Sequence, residues 1–299
     1  MDTQAMDGKQ SVMEKPIVFG EAENLFGIAN LPHGNHAPTA VIMLTAGMLH
    51  HVGSFRFHVL LARELEKLGI LSLRFDLSGI GESLATGMAG DSLARAARET
   101  GYAIDWLSAE HEIDNVILFG LCSGADDAWH VARQDERVKG LAMMDGLGYS
   151  TKLNQKLVWM DKARKFSSPS YWNAKIRRKH GELHIVANDL PEGNDIREFP
   201  NRDTAADDLR GFITRGIHIL ACYTSGANDY YNYPEQFAEM FHDVSLPATV
   251  NHCFYKHMDH VALLKEDRRE LLDRFSSWIK ETVAALPFEN ERCASVAIP

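Results

Sequence analysis

Residues 115–134, NVILFGLCSGADDAWHVARQ, run from an apolar strand into a helix with no loop between them. The Val, Ile, Leu and Phe of the first half favour a buried pleat, and the second half carries its apolar residues at helical spacing. So tight a junction brings strand and helix backbones close together, which needs small residues on either side of the turn. Gly120 and Gly124, two residues before and after Cys122, meet that need. Centring the turn on Ser123 instead puts Leu121 and Ala125 at the flanks, a poorer fit. The residue at the tip of such a turn sits in a strained conformation with its side chain exposed above the sheet, where a nucleophile works. Strands also end in Gly-containing turns with no chemistry, so the motif gains weight only from its partners. The chain has neither a G-x-G-x-x-G run nor a Lys-Ser/Thr pair after this turn, which argues against a nucleotide-binding loop.

The same alternation extends along the chain and predicts a mostly parallel, eight-stranded sheet covered by helices. PIVFGEAENLFGIANLP (16–32) reads as an antiparallel edge pair, and TAVIMLTAG (39–47) as a buried strand. FHVLLARELEKLG (57–69) is an amphipathic helix that Gly69 ends, followed by the strand ILSLRFDLSG (70–79) and the helix 91–110. VKGLAMMDG (138–146), GIHILACYTSG (216–226) and ATVNHCFYK (248–256) are further strands, PEQFAEMFHD (234–243) is a short helix, and residues 260–286 are a long closing helix. Between 149 and 212 no buried strand is evident. The reading is therefore a loose N-terminus (1–15), a core in two parts (16–148 and 213–286), a helical cap insertion (149–212) and a loose tail (287–299).

Composition narrows the function classes. A net charge of -10 over 299 residues argues against a nucleic-acid binder, which needs a basic surface. No run of about 20 apolar residues is present to span a bilayer, and the start, MDTQAMDGKQSVMEK, lacks the apolar segment of a secretory signal. Cys122, Cys222, Cys253 and Cys293 show no metal-type spacing, which points to free thiols, a cytoplasmic setting and no metal or other cofactor.

A nucleophile at Cys122 calls for an acid and then a histidine, in that chain order, in loops after later strands. SGAND supplies Asp229, and YKHMDHVALL supplies His260. Each has an ordinary structural reading: Asp229 as a turn residue, His260 as a surface residue ahead of a helix. Asp145, after an earlier strand, is the second candidate acid, His257 competes with His260, and Asp259 fits a helix-terminal carboxylate. A cysteine ionises more readily than a serine, and a helix N-terminus and an imidazolium both favour its thiolate. The expected oxyanion donors are the backbone N–H of Ser123 and one from TAGMLHH, residues 45–51, taken as Met48. His50, His51, Trp159, Trp172 and Tyr230 are the candidate substrate contacts.

Several of these segments resemble the exosortase A system-associated hydrolases, a branch of the α/β-hydrolase superfamily found beside bacterial exopolysaccharide genes. VGSFRFHVLLAR (52–63), LRFDLSGIGES (73–83), GLCSGADDA (120–128), DERVKGLAMMD (135–145) and SGANDYYNYPEQF (225–237) are similar to segments of that family. The likeness runs with gaps from about residue 38 to 279 and is most specific at the turn around Cys122. It implies an α/β-hydrolase fold with a cap, a cysteine nucleophile at Cys122 and an acid at Asp229. The chain departs from the family at Ala46–His51 and at Asp145–Leu147, where the family carries Gly-Gly-Pro-Gln-Tyr-Arg and Asn-Pro-Trp.

The expected activity is an acyl hydrolase or acyltransferase on an ester or thioester, through a cysteine acyl-enzyme. The alternative is a catalytically silent chain of this fold that binds a small molecule or partner. Residues 152–180 hold nine Lys and Arg against the one carboxylate Asp161. That stretch reads either as a solvated face or as a dock for an anionic carrier such as coenzyme A or an acyl carrier protein.

Overall fold

The computed structural model describes residues 13–34, 36–85, 91–167 and 199–286. Eight strands form one sheet: β1 (Met13–Phe19), β2 (Leu25–Leu31), β3 (Thr39–Leu44), β4 (Ser72–Phe75), β5 (Asn115–Leu121), β6 (Val138–Met144), β7 (His218–Thr224) and β8 (Val250–Tyr255). Their order across the sheet is β1-β2-β4-β3-β5-β6-β7-β8. β2 runs antiparallel to both β1 and β4, and every pairing from β4 to β8 is parallel.

The alternation of side chains along the strands divides the core in two. Val41, Met43, Ile117, Phe119 and Leu220 face one side, where α1 (Phe57–Lys67) and the C-terminal helix pack through Leu61, Leu65, Phe275 and Ile279. Ile42, Leu44, Leu118, Ile219 and Ala221 face the other, against α2 (Ser92–His111), α3 (Ser123–Gln134) and the helix Arg202–Thr214. β3 is covered on both faces and buried at every position, which is why its sequence is a nearly continuous apolar run after Thr39. Among the described residues the remaining α-helices, in chain order, are α4 (Lys152–Ser167), α5 (Arg202–Thr214), α6 (Gln236–Met240) and α7 (Lys265–Ala285).

Two expected boundaries shift. The N-terminal strand begins at Met13, inside the stretch expected to be loose, because β2 continues to Leu31 and pairs with it. The closing helix begins at Lys265 rather than His260. The Asp259 carboxylate accepts the N–H groups of Val261 and Leu263 and closes a separate turn there. Residues 168–198, the middle of the expected insertion, lie outside the described residues, as does the C-terminal tail from 287.

β5 and α3 cross without side chains between them. A Cβ at Gly120 would lie 2.1 Å from the Gly124 carbonyl oxygen, and one at Gly124 would lie 2.7 Å from the carbonyl oxygens of Leu44 and Thr45. Gly101, inside α2, has nothing within 4 Å of an added Cβ. We therefore expect opposite signs from one substitution in urea unfolding. Gly120→Ala should destabilise by at least about 1–3 kcal/mol through overpacking, and Gly101→Ala should stabilise by about 0.5–1 kcal/mol through helix propensity.

Candidate active site

Cys122 lies between β5 and α3 with φ 56° and ψ -123°. This left-handed conformation is strained for a residue with a Cβ and persists only where its surroundings hold it. Its N–H donates to Met144 O (2.8 Å), and its own carbonyl accepts from Ala125 N (3.0 Å). The half-buried thiol emerges at the N-terminus of α3, whose first N–H groups have no helical carbonyl to meet.

His260, in the loop after β8, reaches this thiol. Its Nδ1 lies 2.7 Å from Asp145 Oδ2, leaving the other ring nitrogen for the hydrogen bond with Cys122. The hydrogen bonds to Asp145 and then to Cys122 outweigh desolvation and push the imidazole pKa up to about 10. The histidine loop packs backbone to backbone on the turn after β7: a Cβ at Gly226 would lie 2.3 Å from His260 Cβ and 2.7 Å from its Cα. Ser225 adds two tethers, its N–H and its hydroxyl both donating to Met258 O.

The carboxylate at His260 is therefore Asp145, one residue past β6, and not Asp229. Asp145 is fully buried, with φ 49°. Its N–H donates to Cys222 O (2.8 Å), its Oδ1 accepts from Thr224 N (2.6 Å), and its Oδ2 accepts from Thr224 Oγ1 (2.6 Å). The Tyr230 hydroxyl donates to its carbonyl (3.0 Å). Asp229 is exposed, beyond a 3-10 turn at Ser225–Ala227 that carries it away from the strand end. The physical reason lies in strand order. β6 is the neighbour of β5, so a residue just past its end lies beside the elbow, whereas Asp229 is five residues past β7. Thr224, rather than an acid, occupies the β7 strand end.

His257 points elsewhere, exposed beside Glu270 (3.3 Å). In the loop after β3, Gly47 N donates to Ser123 Oγ (2.7 Å) and Leu49 N to Ala46 O (2.9 Å). That leaves Met48, a residue 78% exposed, as the one of this trio whose N–H has no acceptor among the described residues. His51 is buried and its Nδ1 lies 2.8 Å from Asp76 Oδ2, which anchors the loop; His50 is exposed beside it. Tyr230 adjoins the site through Asp145, Trp159 is 70% exposed on α4, and Trp172 lies outside the described residues. Thr224, Tyr230 as a support of Asp145, and Gly226 as the seat of the histidine loop are the features that sequence reasoning did not assign.

Among solved structures, the chain is similar to an esterase of Pyrococcus furiosus (14% identity, 90% of this chain and 91% of that one, TM-score 0.58). It is similar to the esterase domain of a Rhodothermus marinus protein (17% identity, 91% and 100%, TM-score 0.56). It is also similar to an alpha-beta serine hydrolase homologue of Coxiella burnetii (14% identity, 90% and 99%, TM-score 0.54). The chain has the α/β-hydrolase fold. No family model and no curated protein matches the sequence. Among the described residues no helix is long and apolar enough to cross a membrane, and no group of three or more His, Cys, Asp or Glu side chains is placed to hold a metal ion.

A raised histidine pKa stabilises the fold most below the unfolded value of about 6.5, and that contribution is lost as pH rises through about 10. We expect an NMR titration of the His260 ring to show no deprotonation until near pH 10. Asp145→Asn should lower its midpoint well toward that of an ordinary histidine, and Asp229→Asn should leave it in place. A large fall with Asp229→Asn and none with Asp145→Asn would contradict the assignment.

Proposed function

We propose that the chain is an acyl hydrolase or acyltransferase that forms an acyl-enzyme on Cys122, with His260 as proton carrier and Asp145 as its orienting acid. The observation that carries this reading is one imidazole hydrogen-bonded both to a thiol in a strained elbow and to a buried carboxylate. The substrate class is an ester or thioester, since a thiolate exchanges readily with such acyl groups and transfer between sulfurs is close to thermoneutral.

The chemistry follows from the charges. With its pKa near 10, His260 is protonated at neutral pH, and the adjacent thiol gains as a thiolate from that imidazolium and from the N-terminus of α3. The Cys122 thiolate attacks the acyl carbon, and the carbonyl electrons move onto oxygen. The N–H groups of Ser123 and Met48 are the proposed donors to that oxyanion. Collapse breaks the bond to the leaving group, which takes the proton from His260. The neutral imidazole then removes a proton from water or a second acceptor as it attacks the acyl-enzyme, and the thiolate leaves. Asp145 keeps the ring oriented and stabilises its charged form. The Ser123 hydroxyl, accepting from Gly47 N–H, ties the loop after β3 to the elbow. Exposed Lys152, Lys156, Lys162 and Arg164 on α4 are the described part of the basic stretch that would attract coenzyme A or an acyl carrier protein.

Hydrolysis of nitrophenyl esters and acyl-coenzyme A thioesters tests the reading. Cys122→Ala should lower kcat by about 10⁴-fold or more, while Ser123→Ala, which loses one hydrogen bond, should cost about tenfold or less. Full activity in Cys122→Ala with loss in Ser123→Ala would move the nucleophile to Ser123. The alkaline limb of kcat/KM should lie near pH 10, where His260 loses the proton the leaving group needs, and Asp145→Asn should shift that limb to lower pH. A limb that stays in place in Asp145→Asn would remove Asp145 from the mechanism.

A further inference from the structure

Behind Asp145 lies a pair of thiols that the proposed reaction does not use. Cys222 on β7 and Cys253 on β8 are directly paired in register, and their sulfurs are 3.0 Å apart. Both are free. Neighbouring strands stand about 4.8 Å apart, inside the Cα separation of about 4.4–6.8 Å that a disulfide spans. We propose that Cys222 and Cys253 are a redox-modification site: a hydroperoxide closes the pair into a disulfide, and the closed form loses the alignment of Asp145 on His260.

The two cysteines are unequal, as such a reaction requires. Cys253 is half-buried, and its thiol is shifted down by its hydrogen bond with Cys222, with Tyr255 and Arg274 helping against desolvation. Cys222 is fully buried, and burial pushes its thiol well up. Cys253 is thus the attacking thiolate and Cys222 the resolving thiol. The Cys253 sulfur attacks the O–O bond, takes one oxygen as a sulfenic acid and releases an alcohol or water after protonation. The Cys222 sulfur then attacks the Cys253 sulfur, the S–S bond forms, and the displaced hydroxide leaves with the Cys222 proton as water. Two electrons pass from the thiols to the peroxide.

The link to the active site is the backbone of β7. The Cys222 carbonyl accepts the Asp145 N–H, and Thr224, two residues on, holds both carboxylate oxygens. Closing the sulfurs from 3.0 Å to a bond of about 2.0 Å moves the Cys222 and Cys253 side chains, and with them the local backbone of β7, by up to about 1 Å in all. A displacement of that size at a catalytic group can cost about 100-fold in rate. This consequence for rate rests on the acyl-transfer reading above; the disulfide itself does not.

The test uses the full chain in a Cys122→Ala, Cys293→Ala background, treated with hydrogen peroxide. Intact mass should fall by two hydrogens, peptide mapping should join Cys222 to Cys253, and dithiothreitol should reverse both. In the oxidised sample the His260 titration midpoint should drop and should recover on reduction. Oxidation of Cys253 to a sulfinic acid without a cross-link, or no modification, would overturn the site. A cross-link that leaves His260 unmoved would overturn the coupling. In the wild-type chain, peroxide followed by arsenite (which clears sulfenic acids but not disulfides) should leave activity at least about tenfold lower until dithiothreitol is added. Cys253→Ala and Cys253→Ser should recover after arsenite alone. Equal losses in wild type and both variants would also overturn the coupling, whereas absence of any acyl hydrolysis would count against the acyl-transfer reading and leave the mass and titration results to decide the site.

Discussion

β5 and α3 approach so closely at Gly120 and Gly124 that backbone meets backbone, and Cys122 is the residue left to turn the chain between them. Its positive φ follows from that constraint, since no extended or right-handed helical conformation reverses the chain in so few atoms. Gly124 in turn rests on the carbonyls of Leu44 and Thr45, which fixes the loop after β3 against the same turn. One steric requirement therefore positions the thiol, the first N–H groups of α3 and the loop that carries Met48. The strain is local and is offset by the packing of β5 between β3 and β6, buried along nearly its whole length.

The charged part of the site depends on a second arrangement, at the ends of β6 and β7. A buried carboxylate is costly unless its oxygens are bonded, and Asp145 meets that condition with Thr224 and His260. β7 contributes a threonine that holds the acid, and β6 contributes the acid itself. The turn after β7 then serves as a platform for His260, through Gly226 and Ser225. Each of these contacts spans loops from different strands, so the site assembles only when the sheet is complete.

Much of this was legible in the chain. The eight strands, the elbow at Cys122 and His260 as its partner were all readable because each rests on local pattern: apolar periodicity, paired glycines, and a histidine after the last strand. The acid was not. The order of nucleophile, acid and histidine is satisfied equally by Asp145 and Asp229, so chain order has no power to choose between them. The choice depends on which strand end faces the elbow and on the turn at Ser225–Ala227, which removes Asp229. His51 poses a related problem. A histidine in a loop near the elbow looks available until Asp76, twenty-five residues away, is seen to hold it. Thr224 gave no signal, since a threonine ending a buried strand is ordinary in any sheet.

The proposed reaction passes an acyl group through Cys122 with His260 and Asp145 in support. Intact-mass measurement after a rapid quench, with nitrophenyl esters and acyl-coenzyme A as donors, reads that event directly. One acyl adduct per chain is expected, mapped to Cys122, absent from Cys122→Ala and slower to form in Asp145→Asn. An adduct mapped to Ser123, or continued hydrolysis by Cys122→Ala with no adduct at all, would contradict it.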